Sequence, residues 1–238
     1  MPIKAILFDM FDTLMLIEKN HEFYSPSLVR MYRFLNNNGV KVSFEIFNMA
    51  YLEARDRINA QVKDNFEEPH FNVRVSEALK SLGFDYSVSH PLVSAATYEF
   101  CKEFTNYVHI DSDTNSMLKE LHGKYKLGIV SNFAIPECVF DLLKADGLEG
   151  FFDVVVVSAA INKRKPSPEI FQDALKTLGV SVEEAVFVGD TIDSDIEGAK
   201  AVGMRAVYIE RRLQKSEKVC PDRTIKKLSE LPMALEQC

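Results

Sequence analysis

Short apolar runs alternate along the chain with longer stretches of helical period. The runs occupy residues 5–8, 125–130, 154–157, 185–188 and 206–209, and most are rich in Val and Ile. Amphipathic segments fill 112–122, 135–146, 167–178 and 193–202 between them. Apolar strands that do not alternate with polar residues are buried on both faces, so this order predicts a doubly wound parallel sheet covered by helices. Gly123, Gly147, Gly179 and Gly203 each follow an amphipathic segment, where a left-handed C-terminal cap is expected.

Residues 16–105 differ in kind. Aromatic-rich helical periods run over 28–38, 44–61, 70–82 and 90–104, and Asn36-Asn37-Asn38-Gly39 and Ser81-Leu82-Gly83 mark turns. The reading is a helical insertion, 16–105, in an α/β core made of 1–15 and 106–238. The stripe Phe44, Phe47, Tyr51 reads as internal packing, and Met31, Met49 and Met117 as core filler. After Arg212 the tail is charged, with one short strand near Thr224-Ile225 and a final helix.

The net charge of −7 excludes non-specific nucleic-acid binding, which needs a basic surface. No apolar run reaches the length of a membrane span, and Met1-Pro2-Ile3-Lys4 leads straight into the first strand rather than a signal peptide, so a cytoplasmic monomer or homodimer is expected. Cys101, Cys138, Cys220 and Cys238 form no paired motif, which points to neither zinc nor a disulfide framework.

Polar residues end three of the apolar runs: Asp9 after Phe8, Ser131-Asn132 after Val130, and Gly189-Asp190 after Val188. A further loop carries Lys163-Arg164-Lys165-Pro166. The carboxyl ends of parallel strands line one edge of a sheet, where ligands bind, so these groups should converge. Asp9, Asp190 and Asp195 brought together would repel unless a cation joins them, and an oxygen-only donor set suits Mg²⁺. Lys165 and the Ser131 hydroxyl would then face the remaining oxygens of a small anionic substrate. Each residue alone has a plainer reading as a cap or turn former, and Asp193 needs no other.

These residues resemble the motifs of the haloacid dehalogenase-like hydrolase superfamily. Asp9-Met10-Phe11-Asp12-Thr13 is similar to its DxDxT loop, Ser131-Asn132 to the second motif, Lys165-Pro166 to the third, and Gly189-Asp190 with Asp195 to the GDxxxxD fourth. The resemblance implies a Rossmann-like core with a C1-type helical cap and Asp9 as nucleophile. Mg²⁺ would be held by Asp9, Asp190 and the backbone carbonyl of Phe11, with Asp195 a further ligand or an orienter of the metal's waters. It implies further that Thr13 orients the first loop, and that Ser131, Asn132, Lys165 and Phe11 line the substrate.

Phe11 departs from the pattern. Family phosphatases carry an aspartate there that protonates the leaving group and then activates water, work worth a factor of about 10² to 10⁴. Dehalogenases of the family lack it and need no metal, but they also lack the acidic pair that this chain keeps at 190 and 195. Phe171 stands where many of them have tyrosine. The residues therefore favour a Mg²⁺-dependent phosphatase over a 2-haloacid dehalogenase or a non-catalytic anion binder. Substitute acid/base groups in the insertion would be His21, Glu22, Glu53, Arg55 or His70, with Arg55 the dehalogenase reading's carboxylate-binding arginine. His109 and His122 read as surface residues.

Overall fold

The computed structural model describes residues 1–18, 22–211 and 219–236. In chain order the elements are β1 (Ala5–Phe8), β2 (Met15–Ile17), α1 (Tyr24–Asn37), α2 (Phe44–Val62), α3 (Phe71–Ser81), α4 (Pro91–Phe104), β3 (Val108–Ile110), α5 (Thr114–Leu121), β4 (Lys126–Ser131) and α6 (Pro136–Ala145). There follow β5 (Val154–Val157), α7 (Ser158–Ile161), α8 (Pro168–Leu178), β6 (Ala185–Gly189), α9 (Glu197–Ala201), β7 (Arg205–Ile209), β8 (Arg223–Ile225) and α10 (Leu231–Glu236). A π-helical turn, Ile192–Ile196, leads into α9.

Six strands form one parallel sheet in the order β5-β4-β1-β6-β7-β8. The order reverses at β1, and the ends of β4, β1 and β6 therefore share the crevice at the switch point. Alternate strand residues divide the interior in two. Ile6, Phe8, Ile129 and Val188 pack with the insertion, α5 and α6, whereas Leu7, Val130 and Phe187 pack with α8 and α9. Gly179 closes α8 at φ +64°, and Gly123, Gly147 and Gly203 share its positive φ, as the capping pattern requires.

Helices α1 to α4 follow the expected periods and lie between β2 and β3. These two strands have no sequence signal: each is three residues long, and they pair antiparallel (Met15↔Ile110) as a ribbon through which the chain leaves and rejoins the sheet. Phe47 and Tyr51 are buried inside the insertion with Phe44 against them, and Met31 and Met117 fill the core. Met49 does not, being 62% exposed on the outer side of α2. His109 and His122 are exposed.

The cysteines correct the sequence reading. Cys101 on α4 and Cys138 on α6 form a disulfide, with Cα atoms 5.8 Å apart. The partners are 37 residues apart and meet only because the insertion packs on the core, so no local spacing announces them. Cys220 is free and exposed, and Cys238 lies outside the described residues.

Candidate active site

Asp9 continues β1, its N–H donating to the Val188 carbonyl at 2.8 Å. Ser131 is the last residue of β4, and Asp190 follows Gly189 at the end of β6. Because β4, β1 and β6 are neighbours in register, the three residues stand side by side at one edge. The loop ahead of α8 delivers Lys165, which precedes a cis proline, and the π-turn delivers Asp195. Asp195 fits only because residue 189 is glycine, since a Cβ there would lie 2.4 Å from Asp195 Oδ2.

Charges crowd this hollow. Asp9, Asp190 and Asp195 are all buried and offer carboxylate oxygens within 4.8 Å of one another. Lys165 Nζ lies 2.6 Å from Asp9 Oδ1 and 2.8 Å from Asp195 Oδ1, and its ammonium also sits over the Phe187 ring. Burial works against the ammonium, but Asp195 and Asp9 more than offset it and hold the Lys165 pKa above its ordinary value. Burial raises the Asp9 pKa to about 7, helped by Asp195 and Asp190 and opposed by Lys165. One ammonium among three carboxylates leaves negative charge uncompensated. Hard oxygen donors with excess negative charge fit a divalent cation such as Mg²⁺, and zinc's sulfur and nitrogen ligands are not in the cluster.

The other expected site residues divide by what they touch. Thr13 Oγ1 donates to Asp9 Oδ2 at 3.3 Å. Ser131 Oγ is fully buried and has no hydrogen-bond partner, an exception among buried polar groups, at the same strand edge as Asp9. Asn132 is committed to the backbone of Lys165 on both sides, accepting from its N–H (2.7 Å) and donating to its carbonyl (3.0 Å). Its amide thus fixes the lysine loop. The Phe11 ring lies against Phe133 and Phe104, at 4.8 and 5.6 Å between centroids. Asp12 points away from the hollow. It adopts φ +59° and accepts from the Ile17 N–H at 3.2 Å.

The insertion candidates fare less well. His70 caps α3 and pairs with Glu137 at 3.1 Å, and Arg55 pairs with Asp56 at 2.7 Å. Glu22 and Glu53 are exposed, and His21 lies outside the described residues. Phe171 is core, packed edge-on to Phe187. Sequence reasoning missed Arg211 and Asp111. Arg211 donates to the carbonyls of Asp12 (3.2 Å) and Thr13 (3.0 Å) and pairs with Asp111 at 2.8 Å, bracing the loop that follows Asp9. Neither belongs to a motif, and only β2-β3 pairing and the end of β7 bring them together.

A cleft of about 410 Å³ opens onto Lys165 from the insertion side, lined by Asn59, Lys63, Phe66, Arg164 and Asp193 among others. Two backbone contacts cross beside it: Lys163 Nζ donates to the Asn65 carbonyl (2.8 Å) and Arg164 N to that of Phe66 (2.9 Å).

The sequence matches the haloacid dehalogenase-like hydrolase family over residues 3–203. Among curated relatives, the glyceraldehyde 3-phosphate phosphatase of Methanopyrus kandleri is 32% identical over 211 residues, covering 88% of this chain and 84% of that protein. A HAD phosphatase from Thermococcus onnurineus has a similar structure, with a TM-score of 0.67 at 30% identity over 98% of each chain. The 2-haloacid dehalogenase of Pseudomonas syringae has a TM-score of 0.77 over 99% of each chain, but at 24% identity that likeness is one of fold alone. The four polar clusters at one sheet edge therefore have their counterpart in a named family, and this chain belongs to the haloacid dehalogenase-like hydrolases.

Proposed function

We propose that this hydrolase is a phosphatase acting on a small phosphorylated metabolite, with Asp9 as its nucleophile. The observation that carries the reading is the unpartnered Ser131 hydroxyl, buried at the same strand edge as Asp9 and its ion-paired Lys165. A hydroxyl donor and an ammonium beside a carboxylate suit a tetrahedral dianion better than a halide. The phosphatase names of relatives at 30% identity and above support the same class.

In this reading an Asp9 carboxylate oxygen attacks phosphorus, and the bond to the leaving oxygen breaks with its electron pair. An aspartyl phosphate results. Water then attacks phosphorus, phosphate departs, and the electron pair returns to Asp9. Thr13 holds the attacking carboxylate in line. Lys165 and Ser131 hold the phosphoryl oxygens, Asn132 fixes the lysine, and Arg211 steadies the loop. Mg²⁺, held by Asp9, Asp190, Asp195 and the Phe11 carbonyl, would offset the negative charge of the carboxylates and the phosphoryl group. The helical insertion, 16–105, acts as a cap whose cleft receives the rest of the substrate.

Phe11 cannot supply a proton, so substrates whose leaving groups depart as stable anions are favoured. The same ring is the observation that favours the dehalogenase alternative, since halide needs no proton. A panel of phosphate esters and 2-haloacids, each with Mg²⁺ and with EDTA, separates the two. Phosphate release that stops with EDTA is the expected result. Chloride release from 2-chloropropionate that persists in EDTA would replace this reading with the alternative, and silence across the whole panel would leave a binding protein.

A further inference from the structure

We propose that the Cys101–Cys138 disulfide is a redox latch that holds the helical insertion shut over Asp9 when oxidised and releases it when reduced. The proposal rests on the reading of the hollow around Asp9 as the place where substrate reacts. Asp9, Ser131, Lys165, Asp190 and Asp195 are all at most 7% exposed. The cleft of about 410 Å³ is lined by Lys165 but by none of the other four, so substrate reaches those when the seam between the insertion and the sheet parts.

The insertion is joined to the sheet through β2 and β3, which pair with each other as one ribbon. A single ribbon permits swinging. Across the seam, α6 and the residues just before it take three polar or covalent contacts from the insertion, beside the stacking of Phe104 on Phe133 at 5.2 Å. The Phe71 N–H donates to the Ala134 carbonyl at 2.8 Å, His70 pairs with Glu137 at 3.1 Å, and Cys101 is bonded to Cys138. The first two are worth about 1 kcal/mol each and open readily. The third is covalent, and it is the one disulfide among the described residues. While it stands, α4 cannot leave α6, and α4 also carries Phe104, which touches Phe11.

Cys101 is 2% exposed and Cys138 0%, so a reductant reaches the bond when this edge of the seam opens locally. A groove of about 510 Å³ runs along the outside of the seam, lined by Tyr98, Cys101, Lys102, Thr105 and Lys144 among others. The thiolate of a dithiol attacks Cys101 Sγ, the S–S bond breaks, and its electron pair leaves on Cys138. The second thiol of the reductant then displaces Cys101, so the dithiol ends as a disulfide and both cysteines as thiols. In a reducing compartment the resting form is the open dithiol, and an oxidising shift closes it.

The test uses the full chain, oxidised under mild conditions or reduced with dithiothreitol. Three quantities are read: the disulfide-linked peptide, hydrogen exchange of the Phe71 amide, and p-nitrophenyl phosphate turnover with Mg²⁺. Oxidised protein should yield a linked 101–138 peptide. Reduction should speed Phe71 exchange at least tenfold and raise turnover severalfold. Cys101→Ser and Cys138→Ser should match the reduced protein and ignore dithiothreitol. Equal exchange and turnover in the two wild-type forms, or no linked peptide, would overturn the latch, and this holds even if a serine variant fails to fold. Exchange that switches in a protein hydrolysing no phosphate would sustain the latch and sink the phosphatase reading instead.

Discussion

Lys165 reaches across 156 residues of sequence to place its ammonium 2.6 Å from the carboxylate of Asp9. The pair is buried, and removing either partner from a buried ion pair strands the other at a cost of about 3–5 kcal/mol. Here the lysine also holds Asp195, so it links two carboxylates of the acidic cluster. The site is a charge network before any ligand arrives.

Ser131→Ala removes a buried hydroxyl that bonds to nothing in the protein. An unpaired buried donor costs folding about 1–3 kcal/mol, so the variant should melt no lower than the parent. Its kcat/KM should fall by about 10², because a donor to the transferring group is lost. A drop in melting temperature with unchanged kinetics would make the hydroxyl structural.

Phe11→Asp should restore a proton donor beside the leaving group. The expected gain in kcat/KM is on the order of 10² for alkyl phosphates and small for p-nitrophenyl phosphate, whose leaving group needs no proton. Equal gains, or none, on the two substrate classes would remove the role assigned to this position.

Protonation of Asp9 sets a pH dependence in the metal-free protein. Its pKa is about 7 in the folded chain, against about 4 unfolded, so between those values the folded state binds the extra proton. Stability in EDTA should therefore fall as pH rises from about 4 to about 7 and level off above. Asp9→Asn should flatten that slope, as read by denaturant melts across the range.

Arg211 braces the backbone on which Asp9 and Thr13 are set. Arg211→Met should lower kcat by about 10², the usual cost of misplacing a reacting group by an ångström. It also strands the buried Asp111 carboxylate, so adding Asp111→Asn should restore part of the lost stability and none of the rate. Stability and rate recovering together would mean the arginine supports the fold alone.

The sheet was legible because five of its strands carry apolar runs and three of those runs end on a polar residue. Burial on two faces forces that pattern, and the register then brings Asp9, Ser131 and Asp190 together. Asn132 was legible as a motif residue, but its two bonds to Lys165 were not, since they depend on how the loop ahead of α8 returns to β4. Arg211, Asp111 and the Cys101–Cys138 bond were hidden for one reason. Their partners are distant in sequence and meet through tertiary packing, which leaves no periodicity behind. The ribbon β2-β3 escaped because three-residue strands are too short to show alternation.

Nucleophilic attack by Asp9 has one direct measurement: borohydride reduction of the protein during turnover with a phosphate ester and Mg²⁺, followed by peptide mass spectrometry. An aspartyl phosphate at residue 9 should be reduced to homoserine there, at levels that rise with substrate and vanish in EDTA. Sustained phosphate release with residue 9 unmodified, and with Asp9→Asn still turning over, would contradict it.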